Sequence, residues 1–519
     1  MSIALRSRPA TTAAPRPPAA LLLAGTLVAA LALVPLGFVV VYTISVGPSE
    51  AWQLLGRPRI AMLLSNTLKL VLGGVLLSLV VGIAAAWFVE RTRLPLPRVW
   101  HVLLCAPLAV PSFVNGFGWV SLTHSVQTYP GVLMVVTLSY FPLVYLPVAA
   151  VLRGLDPALE ETAYSLGRGV WRTFFTVILP QLRPAALGGG LLVGLHLLAE
   201  FGAVQMLRFP TFTTAIYDQY RSSFNGPAAN MTASVLVLCC LVLLVGELRL
   251  RGSDRYARVG RGTARRAVRR RLGILTVPVV LGLTGLLALA LGVPAYSLIH
   301  WLSVGSSTAF PVSDLVSTAA TSIGLGLVAA FVTTLFALPV AWLAVRFPRR
   351  SSVVVERSSY VANALPGIVV ALAFITVSIR VVEPLYQTLV LLIAAYSVMF
   401  LPRAVVSVRA ALEQAPPVLD DVSRSLGAGQ LETARRVTVP LILPGVGAGA
   451  ALVFLATVTE LTATLLLAPI GTQTLATQFW SASSSLAYGA AAPYALLMVL
   501  ISLPATFLLS AQVGRTRRA

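Results

Sequence analysis

The amino-acid sequence predicts an all-α polytopic membrane protein with about twelve transmembrane helices in two parallel, pseudo-symmetric halves of six. Three observations predict it. Hydrophobic residues make up 57% of the 519 and charged residues 11%, against roughly 25% charged in soluble domains. Apolar runs with at most one charged residue and long enough to cross the hydrocarbon layer, about 20 residues at 1.5 Å each, recur near 19–45, 65–89, 99–123, 130–152, 185–207, 228–246, 273–299, 316–345, 359–379, 386–408, 445–468 and 487–511. One polar interval also occurs twice at an offset of 260, which marks an internal duplication.

The elements follow in order. Residues 1–18, with Arg6, Arg8, Arg16 and several prolines, are expected to be a disordered basic tail. The run 19–45 is too long for the roughly 7–15-residue core of a secretory signal and reads as the first span. The first repeat covers 19–247, an arginine-rich cytoplasmic linker 248–272, the second repeat 273–512 and a basic tail 513–519. The interval 99–152 contains no charged residue, so two crossings have to be hinged within it, near His124 to Pro130.

The net charge of +21 is a topology signal. With the N-terminus inside, 32 of the 38 basic residues fall on the cytoplasmic side, ten of them between Arg249 and Arg271, leaving Arg57, Arg59, Lys69, Arg208, Arg221 and Arg380 elsewhere. That asymmetry places both termini in the cytoplasm. The linker has a single aromatic, Tyr256, so it reads as a segment against anionic lipid and not as a nucleic-acid site. Cys105, Cys239 and Cys240 lie in spans and imply neither disulfide nor metal. No catalytic constellation is visible. A phosphate-binding loop needs Gly-Lys followed by Ser or Thr, and the one lysine, Lys69, stands between Leu68 and Leu70. The chain is therefore expected to be no ATPase.

The duplicated interval runs from Pro157 to Pro184 and again from Pro417 to Pro444, with ten identities in 28 positions. Each copy has an acidic pair, Glu160-Glu161 or Asp420-Asp421, then Gly167 or Gly427, then Pro180 or Pro440 thirteen positions on. It reads as a short helix whose first turn favours the acids, a turn needing glycine, and a second helix ended by proline. The duplication extends outward. Ala86-Trp87 matches Ala341-Trp342 and Pro111 matches Pro366 at offset 255. Pro142 and Pro402, Glu200 and Glu460, Thr214 and Thr474, and Tyr220 and Trp480 match at 260. Six spans per half is an even number, so the halves are parallel. Glu200 and Glu460 are ionisable groups inside spans, a functional-site hypothesis by default. With Gly202 and Thr462 they are candidates for the translocation path or its gate, or else for hydrogen-bonded packing groups.

Glu161-Thr162-Ala163, Gly167 and Val177-Ile178-Leu179-Pro180 resemble the EAA loop of bacterial ABC importer permeases. The second copy, Asp421-Val422-Ser423, Gly427 and Val437-Thr438-Val439-Pro440, is similar, with Asp for Glu and neither alanine. Glu200 to Val204 with Pro210 to Tyr217, and Glu460 to Leu467 with Thr474 to Trp480, look like the two halves of fused ferric-iron permeases. The resemblance implies a type I ABC importer (MetI-like) fold in the bacterial inner membrane. It also implies two ABC ATPase subunits carrying ATP and Mg, no cofactor in this chain, and a periplasmic or lipid-anchored substrate-binding protein. Glu160, Glu161, Ala163, Gly167, Pro180, Asp420, Asp421, Gly427 and Pro440 are then the coupling residues. Ferric iron or a ferric complex is the implied solute, with thiamine or another small solute as alternative. Parallel six-helix halves would also suit an ion-coupled secondary transporter using the two glutamates as proton carriers.

Overall fold

The computed structural model describes residues 17–47, 49, 52–53, 56–223, 226–251, 269–304, 312–362 and 365–515. Most of the expected N-terminal tail 1–18 and of the linker 248–272, and the last four residues of the expected tail 513–519, lie outside them. Among the described residues the regular elements are helices, with one isolated bridge between Thr92 and Arg270. A helix is the structure that lets an uncharged run satisfy every backbone amide and carbonyl within itself, as hydrocarbon demands.

Among the described residues eight helices have spanning length: α1 (Ala19–Val46), α2 (Pro58–Arg91), α8 (Val170–Ala199), α11 (Gly226–Gly246), α12 (Gly273–Val304), α13 (Val312–Arg346), α16 (Leu389–Gln414) and α18 (Leu431–Val458). The expected third and fourth spans are broken. The third is α3 (Pro97–Ala109) and α4 (Ser112–Val120), bent by 87°, and the fourth is α5 (Tyr129–Tyr140) and α6 (Pro142–Gly154), bent by 42°. Pro107 and Pro111 remove two amide donors at the first break and Pro142 one at the second, which explains both bends. The expected ninth and twelfth spans correspond to shorter apolar stretches, α15 (Gly367–Val381) and the Tyr488–Pro504 part of α21 (Tyr488–Arg515). Between the spans lie α7 (Ala158–Ser165), α9 (Gly202–Met206), α10 (Phe212–Arg221), α14 (Arg350–Val361), α17 (Pro417–Ser425), α19 (Thr462–Leu467) and α20 (Leu475–Ser484).

Two expectations are corrected here. Pro180 and Pro440 do not end the helices they sit in. Each follows a π-helical turn, Phe174–Ile178 or Ala434–Thr438, and the helix runs on. A wider turn relieves the clash of the proline ring with the preceding turn, so the helix survives. Secondly, the fifth and eleventh spans do not reach 207 and 468: α8 ends at Ala199 and α18 at Val458. The two glutamates stand in the breaks that follow.

Contacts divide the chain into two compact units that cut across the sequence halves. One comprises Met1–Val34, Val328–Asn363 and Tyr396–Phe454; the other comprises Pro35–Leu327, Ala364–Ala395 and Leu455–Ala519. In the first, Gly25 of α1 meets Leu343 of α13 and Val355 of α14. In the second, Pro294 of α12 packs against Gly118 of α4, where an added Cβ would lie 2.7 Å from the Pro294 Cα. Each unit thus uses the leading helix of the other sequence half. The core of the second unit is aromatic and shared: Phe113 and Phe117 from α4, Phe201, Phe479 and Trp480 from α20, and Met498 from α21.

Candidate coupling surface and broken helices

The two copies of the polar interval fold alike. In the first, α7 ends where Gly167 takes φ +77°. Gly167 N–H donates to the Tyr164 carbonyl and Arg168 N–H to that of Ala163. In the second, Gly427 takes φ +90°, with Gly427 N–H to Arg424 and Ala428 N–H to Ser423. This pair of bonds closes a helix end around a left-handed residue, and glycine occupies it without a Cβ penalty. The leucine before each glycine is turned outward, Leu166 71% exposed and Leu426 83%. Trp171 and Phe175 are exposed beyond the first turn, Val418, Val422 and Leu431 around the second. Exposed apolar side chains on an otherwise polar loop make each copy a candidate docking surface.

The acidic pairs divide their labour. Glu160 faces inward to Arg91 at the end of α2, the charges 2.8 Å apart and both largely buried. Burial pushes the Glu160 carboxyl above its ordinary value, while Arg91 and Arg270 pull it back. Asp420 pairs with Arg346 at the end of α13 at 3.1 Å and accepts a hydrogen bond from Thr438 Oγ1. Glu161 and Asp421 are exposed, Asp421 paired with Arg424. Ala163 is buried; Pro180 and Pro440 are exposed. Arg91 and Arg346 were missed by the reading of the sequence, although they are related by the same offset of 255 as Trp87 and Trp342. Extending that repeat by four residues would have found them.

At the end of α8, Glu200 is 7% exposed and accepts three bonds: from Ala203 N–H at 2.9 Å, from Ser112 Oγ at 2.8 Å and from the Tyr140 hydroxyl. It caps α9. Glu460 caps α19 in the same way, accepting from Ala463 N–H at 3.0 Å, and is partly exposed. At the repeat offsets, Ser112 corresponds to Gly367 and Tyr140 to Phe400, so the two hydroxyls that bind Glu200 are not repeated at those positions of the second half. Gly202 has no room for a side chain. A Cβ there would stand 2.6 Å from the Phe113 Cβ and 3.1 Å from Leu461 Cδ2. The contact with Leu461 brings the two breaks together within one unit. Thr462 opens α19 and is partly exposed.

Beyond the breaks the pairing of residues changes. Thr211 caps α10 and Thr474 caps α20, each in a reciprocal capping box. Phe212 N–H donates to Thr67 Oγ1 and Leu475 N–H to Ser322 Oγ. The structural offset is therefore 263, which overturns the matches of Thr214 with Thr474 and Tyr220 with Trp480. Tyr217 is the counterpart of Trp480, and both rings pack on Phe201, at 4.7 and 5.2 Å between centroids. The second half has three more residues between the glutamate and the cap, so identity at a constant offset misled there.

The sequence pattern of the family described as "Binding-protein-dependent transport system inner membrane component" matches residues 78–248 and again 333–518. This chain belongs to that family. The permease is 39% identical over 497 residues, 95% of its own length and 98% of the other's, to the Fe(3+)-transport system permease protein FbpB 2 of Haemophilus influenzae. It is 23% identical over 91% of its length to the ferric transport system permease protein FbpB of Actinobacillus pleuropneumoniae. It is also 29% identical over 41% of its length to the sulfate transport system permease protein CysT of Escherichia coli, whose length is 84% covered. The two matched stretches of the permease each contain one glycine-capped loop and one glutamate break. Among the described residues no group of three or more metal-binding side chains occurs.

Proposed function

We propose that the permease is the membrane subunit of an ABC importer for ferric iron or a ferric complex, and that its two glycine-capped loops dock two ATPase subunits. The observation that carries the coupling role is the repeated loop itself. In each copy an inward acid-arginine pair anchors the short helix to the end of a span, and an outward leucine stands beside the positive-φ glycine. The likeness to an Fe(3+) permease over nearly the whole of both chains supports the solute. A shorter likeness to a sulfate permease keeps another small solute as the alternative.

On this reading both termini and both loops are cytoplasmic, and ATP and Mg belong to the partner subunits. A binding protein delivers the solute and carries its selectivity. The glutamate pair lies on the path or its gate, Glu200 as the fixed member and Glu460 as the more accessible one. The test is uptake of radioactive ferric iron by vesicles containing the permease, its ATPase and its binding protein. ATP-dependent uptake that needs all three is expected. Uptake driven by a proton gradient without the ATPase would overturn the reading.

A further inference from the structure

The end of the linker is built into the first coupling loop. Arg270 runs beside the chain leaving α2: its N–H donates to the Arg91 carbonyl at 3.0 Å, and Arg93 N–H donates to the Arg270 carbonyl at 2.8 Å. Arg93 Nε adds a bond to the Arg269 carbonyl at 3.1 Å. The Arg270 guanidinium lies over the Tyr164 ring, its Cζ 4.0 Å from the centroid, well inside the roughly 6 Å over which a cation and an aromatic face attract. Tyr164 belongs to α7. Arg91, whose carbonyl takes the backbone bond, holds Glu160 of the same helix with its side chain. Three residues after Arg270, Gly273 begins α12, the leading helix of the second repeat, which packs through Pro294 on Gly118.

The first coupling helix is thus tied at one end of a short connection whose other end is the second repeat. The second coupling helix is built differently. At the repeat offset Tyr164 corresponds to Arg424, which pairs with Asp421 at 2.5 Å and would repel a guanidinium.

We infer that Arg269 and Arg270 form a strap that positions the first coupling helix, with Arg270 on Tyr164 as its contact, so that displacement of α12 is passed to α7 within the chain. This rests on the coupling role proposed above. Arg270 is a positioning residue, and its removal is expected to loosen the link between hydrolysis and transport.

The test uses the full importer in vesicles and measures ferric iron taken up per ATP hydrolysed. Arg270→Ala and Tyr164→Leu are each expected to lower that ratio about fivefold, the size of one modest contact free energy. The double variant should fall no further, because the two side chains form a single contact. Tyr164→Phe keeps the ring and should keep the ratio. A wild-type ratio in Arg270→Ala, or multiplication of the two single effects, would overturn the strap. Hydrogen exchange on the purified permease gives a second reading that needs no ATPase. Amides of residues 159–165 should exchange about fivefold faster in Arg270→Ala, and unchanged exchange would overturn the strap. If the wild-type vesicles show no ATP-dependent uptake, the importer reading fails, and the exchange result still decides the strap.

Discussion

At the scale of single residues, Gly167 and Gly427 carry the sharpest demand. Both hold positive φ, and an added Cβ would meet nothing within 4 Å, so the cost of a side chain there is conformational and not steric. A β-branched residue in the left-handed region costs roughly 1–2 kcal/mol, enough to unwind a helix end that only two hydrogen bonds close. Gly167→Val and Gly427→Val are expected to insert at normal membrane levels and to lose uptake. Normal uptake at normal levels would show that the turn is not needed. The glutamates make a different demand. Glu200 has three donors, and Tyr140→Phe withdraws one from a buried acceptor, a change of about 1–3 kcal/mol. A lower midpoint of thermal unfolding in detergent is expected for Tyr140→Phe.

At the scale of elements, the long helices and the duplicated loops were legible because hydropathy and repetition are properties of the local sequence. The breaks were not. A proline in an apolar run signals a helix end as readily as a π-turn, and what separates Pro180 from Pro111 is the register of the turn before it. The ion pair of Arg91 with Glu160 spans 69 residues of sequence, so no local pattern announces it; only the repeat at offset 255 points to Arg91 and Arg346. Removing one partner of a buried pair leaves an uncompensated charge, at a cost of about 3–5 kcal/mol. Arg91→Ala is therefore expected to unseat α7 and abolish uptake. The exchange Arg91→Glu with Glu160→Arg should recover part of it, since each charge then meets its opposite. Equal loss in the single and exchanged variants would mean that packing and not charge holds the helix.

At the scale of the whole molecule, the two loops proposed to couple to the ATPase differ in sequence and still present the same kind of surface. The drift of the second copy, with Asp for Glu and no alanine, suggests from sequence that it is the weaker contact. Its exposed apolar side chains argue otherwise. Leu426, Leu431, Val418 and Val422 stand out around the second turn as Leu166 and Trp171 do around the first, and the anchoring ion pair is present in both. On the proposed reading, two ATPase subunits working as a pair would need both docking sites in each cycle, so damage to either one would stop the cycle. A carboxylate at the centre of such a contact is desolvated without a partner, which costs several kcal/mol and leaves the fold of the exposed loop untouched. Leu166→Asp and Leu426→Asp are each expected to abolish ATP-dependent uptake while preserving membrane level, and each purified variant should retain about half the ATPase on an affinity column, because the loop left intact still docks its own subunit. Retention of half the ATPase by each variant, with uptake lost in both, is the outcome for one independent site per loop. Full uptake in Leu426→Asp alone would restore the weaker-contact reading of the second loop.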